Sequence, residues 1–168
     1  MTVFLCGFMG CGKSTIGKLA AKKLGCGFCD TDEMIVESLG MSIPDIFAQK
    51  GEPFFREKEA ETVQSLCGRK IVVSTGGGAL LNNKTAQAAL SGGTVIFLDV
   101  PFEICYERIK DDPNRPIVVS STKQQLEELF NYRRDIYISH STAAVTCEGS
   151  PVENTNRLFD TLRLINGK

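Results

Sequence analysis

The chain predicts an α/β fold, a parallel sheet with helices covering both faces. Two observations carry this. Short apolar runs of strand length alternate with segments whose apolar residues recur at helical spacing. In addition, Gly7-Phe8-Met9-Gly10-Cys11-Gly12-Lys13-Ser14 reads as a G-x-x-x-x-G-K-S phosphate loop, with Thr15 next. It lies between a strand and a helix, the setting in which that motif is meaningful.

The elements follow in order. Val3 to Cys6 is an apolar run that reads as a buried strand, and Ile16, Leu19, Ala20 and Leu24 then fall on one helical face. Phe28-Cys29-Asp30 reads as a second strand. Asp32 to Leu39 and Ser42 to Gln49 read as short helices, with Ser42 as N-cap and Pro44 in the first turn. Glu52 to Leu66 is a longer helix that stops near Gly68. Lys70 to Ser74 is a third strand, broken by Gly76-Gly77-Gly78. Asn82 or Asn83 opens a helix that ends at Gly92-Gly93, and Thr94 to Asp99 is a fourth strand. Pro101 starts the next helix. Residues 110–122 are polar, hold Pro113 and Pro116, and read as a long mobile loop of the kind that forms lids. Thr122 caps a helix towards Ser139, Ala143 to Cys147 is a fifth strand, and Pro151 to Ile165 closes the chain. In such sheets ligands collect at the carboxyl ends of the strands.

Composition narrows the function. The chain has 168 residues, 42% of them hydrophobic, so a single domain over 1–168 with its own core is expected. Nineteen basic residues against twenty acidic ones give a net charge of −1. No global positive field exists to hold nucleic acid, so an anion must be met by local arginines and lysines. Met1 runs straight into the first strand without a leader pattern, and no apolar run is long enough to span a bilayer. A cytoplasmic protein without a membrane partner is expected. The seven cysteines are an odd number, which argues for free thiols. Cys26 and Cys29 have C-x-x-C spacing, but the pair follows a helix rather than opening one, and no second pair completes a zinc site. Both read as small core residues.

Several residues carry chemistry. The loop glycines let backbone N–H groups turn towards a phosphate, and the helix N-terminus adds its positive end. Lys13 can bridge outer phosphates, and the Ser14 hydroxyl can ligate Mg²⁺. Asp30 and Asp32 stand at the strand-to-helix turn. Alone they would read as turn and N-cap residues. Beside a phosphate loop, one carboxylate suits Mg²⁺ through water and the other suits a base for an attacking hydroxyl. Arg56 can grip a carboxylate with its planar fork, and Glu59 stands where it can hold that guanidinium. The bland alternative is a surface ion pair of little energetic worth. Gly76-Gly77-Gly78 suits a ligand that must touch backbone. Arg115 can swing over the β/γ-phosphates from the 110–122 loop. Of Arg133 and Arg134, one suits substrate and the other solvent.

These residues form ordered motifs: Gly10-Cys11-Gly12-Lys13-Ser14-Thr15, Asp30-Thr31-Asp32, Phe55-Arg56 with Glu59, Val72 to Gly78, Arg115-Pro116, and Arg133 with Tyr137. Together they resemble the shikimate kinases, in the nucleoside monophosphate kinase branch of phosphate-loop proteins. The resemblance covers nearly the whole chain. It implies a three-layer α/β/α fold with five parallel strands in the order 2-3-1-4-5, a substrate-binding helical segment at about 31–66, and a mobile lid at about 110–122. It implies transfer of the γ-phosphoryl group of ATP to the 3-hydroxyl of shikimate, with Mg²⁺, by a monomer in aromatic amino-acid biosynthesis.

By position, the resemblance makes Asp32 the base and the holder of ring hydroxyls. Arg56 and Arg133 would bind the carboxylate, and Gly77 and Gly78 would offer backbone contacts. Lys13 and Arg115 would stabilise the migrating phosphoryl group. Gly10, Cys11, Gly12, Lys13, Ser14 and Thr15 would cradle the nucleotide, with Arg108 against adenine. Ser14 would ligate Mg²⁺, with Asp30 in its outer shell. Two positions depart from the usual pattern. Cys11 replaces the commoner serine or alanine and predicts sensitivity to thiol reagents. Asp135 stands where proline is frequent and leaves Arg134 as the fallback for Arg133. The rival readings are a gluconate kinase, a nucleoside monophosphate kinase, or a nucleotide-binding module without catalysis. The module would be expected to lack the base, the lysine or the lid arginine.

Overall fold

Thr2–Cys6 forms β1 and is wholly buried. Every later strand runs parallel to it in the computed structural model, which describes residues 1–113 and 115–167. With β2 (Gly27–Asp30), β3 (Ile71–Ser74), β4 (Gly93–Asp99) and β5 (Ala143–Thr146) it makes one five-stranded sheet in the order β2-β3-β1-β4-β5. The expected order is the observed one. β1 pairs with β3 on one side and β4 on the other, so the chain's progress across the sheet reverses there, and clefts of α/β folds open at such reversals. The register sets Asp30 beside Ser74 and Ser74 beside Leu5, which brings the carboxyl ends of β2, β3 and β1 level.

β1 shows why both faces are covered. Its side chains alternate between faces. Val3 and Leu5 enter a core with Ile16, Ala20 and Ala21 of α1 (Lys13–Leu24) and Leu158 and Leu162 of α9 (Pro151–Ile165). Phe4 and Cys6 enter the opposite core with Val63 and Leu66 of α4 (Glu52–Leu66) and Ala86 and Ala89 of α5 (Asn83–Gly92). A third, smaller core of Ile35, Ile46 and Phe55 ties α2 (Thr31–Leu39) and α3 (Ile43–Lys50) to α4. That core makes residues 31–66 a helical wall beside the strand ends.

Side chains cap these helices where the sequence predicts it. The Asn82 carbonyl oxygen accepts from the N–H groups of Lys84 and Thr85, which settles the start of α5. α6 (Phe102–Ile109) starts after Pro101. Thr122 and Gln125 form a capping box at α8 (Lys123–Ser139). The 110–122 segment departs from the expected loop, because Pro116–Val119 forms a one-turn helix, α7. Proline's fixed φ suits a first helical position, and Val118 is buried against the core. Asn114, in the segment expected as a lid, and Lys168, at the end of the expected domain, lie outside the described residues. A single 3₁₀ turn over Ala79–Leu81, not foreseen, follows the glycines. Among the described residues no helix is long and apolar enough to cross a membrane.

Candidate active site

The phosphate loop leaves β1 and enters α1 through glycines in the left-handed region, Gly10 at φ 79° and Gly12 at φ 90°. A Cβ is penalised there, which accounts for glycine at both. α1 differs from α2, α3, α5, α8 and α9 in having no side-chain cap, and no acid stands in its first turn. Its terminal N–H groups and positive end are thus left for an anion. Lys13 Nζ donates to the carbonyls of Gly7 at 2.7 Å and Phe8 at 3.2 Å, folded over the loop it serves.

Asp30 takes the capping role read from the sequence and also reaches the phosphate loop. Its Oδ1 accepts the Asp32 N–H at 3.0 Å, capping α2. Its Oδ2 accepts the Ser14 hydroxyl at 2.9 Å, and Ser74 Oγ lies 3.3 Å from Ser14 Oγ. Hydroxyl and carboxylate oxygens are the hard donors that suit Mg²⁺. Asp32 is different. Its Oδ1 is buried and accepts no hydrogen bond from the described residues. Burial, then the neighbouring Asp30 carboxylate, push its pKa from 3.8 up to about 6, against the pull of Lys13, Arg56 and Arg115. A buried acceptor without a donor is rare and suits a hydroxyl from a ligand.

The raised pKa sets an expected pH profile. A carboxylate that acts as a base must be ionised, and Asp32 in that role would shed its own proton only near pH 6. Below that, kcat/KM should fall about tenfold per pH unit, and above it should level off. A limb that falls only near pH 4 would count against a buried Asp32 in that role.

The three glycines after β3 do work that the sequence did not reveal. A Cβ on Gly76 would strike Asp32 Oδ1 and Glu59 Oε1, and one on Gly78 would strike the Arg56 guanidinium. The run makes room for the protein's own charged groups. Arg56 Nη1 donates to Glu59 Oε2 at 2.6 Å, as the spacing predicts. Its Nε and Nη2 donate to Glu52 Oε1 at 3.1 and 2.9 Å. Glu59 is buried, and burial raises its pKa to about 7 against the pull of Arg56. Gly77 faces Arg133 from the other side, and its carbonyl accepts the Tyr137 hydroxyl at 2.5 Å. Arg134 is engaged elsewhere, since Nε and Nη2 grip Asp99 at 2.9 and 2.6 Å. Arg133, not the fallback, is therefore the residue directed at the glycines, and Asp135 sits within an unbroken α8.

One cleft of about 520 Å³ joins Met9 to Ile16 of the loop and α1 with Asp30, Asp32, Ser74 to Gly77, Arg108 and Arg115. Arg56, Gly78 and Arg133 are not in its lining; Arg56 of α4 packs against Gly78, and Arg133 of α8 lies near Gly77. Arg108 Nη1 donates to Gly10 O at 2.9 Å, and Arg115 Nε donates to Asp112 Oδ2 at 2.9 Å. Pro151 and Asn154 also line the cleft and were missed. Their signal was positional: they open the helix after β5, at the same carboxyl edge. All seven cysteines are free. Cys26 and Cys29 are only half-buried and pack against opposite cores, a correction to the reading as buried residues. Burial pushes the Cys29 thiol up to about 11, away from reactivity. Cys11 is 2% exposed, so the expected sensitivity to thiol reagents does not follow from this conformation.

A loop shaped for phosphates faces a desolvated carboxylate suited to taking a proton, with cations on both sides. Together with the parallel sheet and its strand order, that defines a small-molecule kinase of the phosphate-loop class. Comparison narrows it. The shikimate kinase family model matches residues 9–163. A shikimate kinase from Persephonella marina is 41% identical over 163 residues, covering 96% of this chain and 98% of the relative. The crystal structure of shikimate kinase from Aquifex aeolicus superposes with a TM-score of 0.87 at 38% identity, covering 97% of this chain and 96% of that one. The Acinetobacter baumannii enzyme in complex with shikimate superposes with a TM-score of 0.87 at 32% identity, covering 99% and 93%. The chain belongs to the shikimate kinase family and is an ATP-dependent kinase.

Proposed function

We propose that the enzyme transfers the γ-phosphoryl group of ATP to the 3-hydroxyl of shikimate, giving shikimate 3-phosphate. The observation that carries this is the unpartnered, desolvated Asp32 carboxylate between a phosphate loop and two arginines. Asp32 takes the proton of the attacking hydroxyl and holds the ring beside it. Lys13 and Arg115 neutralise charge that develops on the phosphoryl oxygens. Loop residues Gly10 to Thr15 hold the phosphates, with Arg108 against adenine. Ser14 and Asp30 would hold Mg²⁺, Asp30 through water; when bound, the ion offsets phosphate charge. Arg56 and Arg133 clamp the ring carboxylate, with Gly77 and Gly78 offering backbone beside it. Residues 31–66 act as the acceptor's wall, and 110–122 close over the nucleotide. The reading includes a cytoplasmic monomer with no nucleic-acid or membrane partner, supported by the near-neutral net charge and the free thiols.

A gluconate kinase would share much of this site, but two arginines around a glycine run suit a rigid acid better than a flexible polyol acid. A nucleotide acceptor would need a second base pocket. An ADP-release assay with shikimate, gluconate and CMP tests the choice. Turnover is expected with shikimate alone, and turnover with CMP but not shikimate would refute it. In the same assay Arg56→Ala should raise the KM for shikimate roughly tenfold to a hundredfold, as loss of a charged hydrogen-bonding partner does. An unchanged KM would leave Arg56 as a surface ion pair.

A further inference from the structure

Two carboxylates hold the Arg56 guanidinium, and they differ in freedom. Glu59 has a side chain 2% exposed and stays fixed. Glu52, at the first position of α4, has a side chain 61% exposed. Its Oε1 takes both donors of the Nε–Nη2 edge, the edge on which arginine presents parallel N–H groups to a carboxylate. We propose that Glu52 is an internal stand-in for the substrate's carboxylate, held on Arg56 in the empty enzyme and in competition with the acid that binds there. This rests on the reading of Arg56 as a partner of that acid.

The charges point the same way. Arg56 carries one positive charge and already faces two carboxylate side chains, with Asp32 close behind. An incoming acid adds a further carboxylate to a guanidinium that already donates to two. Glu59 cannot leave, because burial would strand its charge. Glu52 can, because solvent is open to it and the positive end of α4 offers it another resting place. Glu52 therefore sets affinity for the acid without touching the reacting atoms. It should act equally on product, because phosphorylation of the ring leaves the carboxylate unchanged. Recapture of Arg56 by Glu52 would then help product leave.

The experiment is calorimetric titration of shikimate, and of its uncharged methyl ester, into the whole chain and its Glu52→Gln variant, at low and high salt. Glutamine keeps the length and an acceptor but removes the charge. The Kd for shikimate should fall about two- to fivefold at low salt, the range of a solvent-exposed ion pair. The gain should shrink at high salt, and the ester should be unaffected. An unchanged or raised Kd for shikimate would overturn the proposal, since Glu52 would then only steady Arg56. An equal gain for acid and ester would overturn it too. Arg56→Lys separates the two readings. Weaker shikimate binding in that variant keeps Arg56 as the acid's partner, so that a negative Glu52→Gln result counts against Glu52 alone. Unchanged binding removes Arg56 and the stand-in together.

Discussion

Asp32→Asn should lower kcat roughly a thousandfold, within the range lost when a positioned general base is removed, while the KM for ATP moves less than about twofold. Asparagine keeps the shape and one acceptor oxygen but cannot take a proton. The proposed nucleotide contacts, on the loop, α1, Arg108 and Arg115, do not include the Asp32 side chain, so they should survive. The fold should survive as well, because the α2 cap uses the Asp30 carboxylate and only the backbone N–H of residue 32. Removing a buried charge that burial disfavours should, if anything, stabilise the empty enzyme. Steady-state kinetics with saturating ATP, and a thermal melt, read both parts. Turnover near that of the parent would remove Asp32 as the base.

Gly76→Ala should lower kcat/KM for shikimate by at least about a hundredfold in a protein that still folds, the scale of loss expected when reacting groups are misplaced by about an ångström. One added methyl would meet Asp32 Oδ1 and Glu59 Oε1 together. Asp32 would be turned from the hydroxyl it is proposed to serve. Glu59 would be pushed from Arg56, which loses its fixed partner. The same methyl thus harms the base and the acid clamp at once, so kcat and KM should both worsen. The folding cost should be moderate, because the two carboxylates rather than backbone yield first. Wild-type kinetics in this variant would show that the carboxylates do not converge on Gly76 during turnover.

These residues show how far the sequence could be read. Helix caps and the phosphate loop were legible because local patterns encode them: Ser42, Thr122 and Pro151 at helix starts, and a glycine-rich run between an apolar strand and a helix; the strand order came from the family resemblance, not from local pattern. The Arg56–Glu59 pair was legible from helical spacing. Glu52 was not singled out, although it also lies one turn from Arg56, because the many exposed acids of α4 look alike until the guanidinium's direction is known. The glycine run was read for ligand contact, yet the groups that fill its space come from α2 and α4, far away in the chain. Sequence adjacency could not separate Arg133 from Arg134. Their fates are decided by Asp99 at the end of β4, which captures one of them. Pro151 and Asn154 were missed for a similar reason: only the position of β5 at the sheet edge brings them to the loop.

A crystal structure of the enzyme with ADP, Mg²⁺ and shikimate tests the shared cleft most directly. The shikimate carboxylate should lie within hydrogen-bonding distance of both Arg56 and Arg133, with its 3-hydroxyl against Asp32 Oδ1 and aimed at the nucleotide. Shikimate bound elsewhere, with both guanidinium groups turned to solvent and Asp32 without a hydroxyl partner, would contradict it.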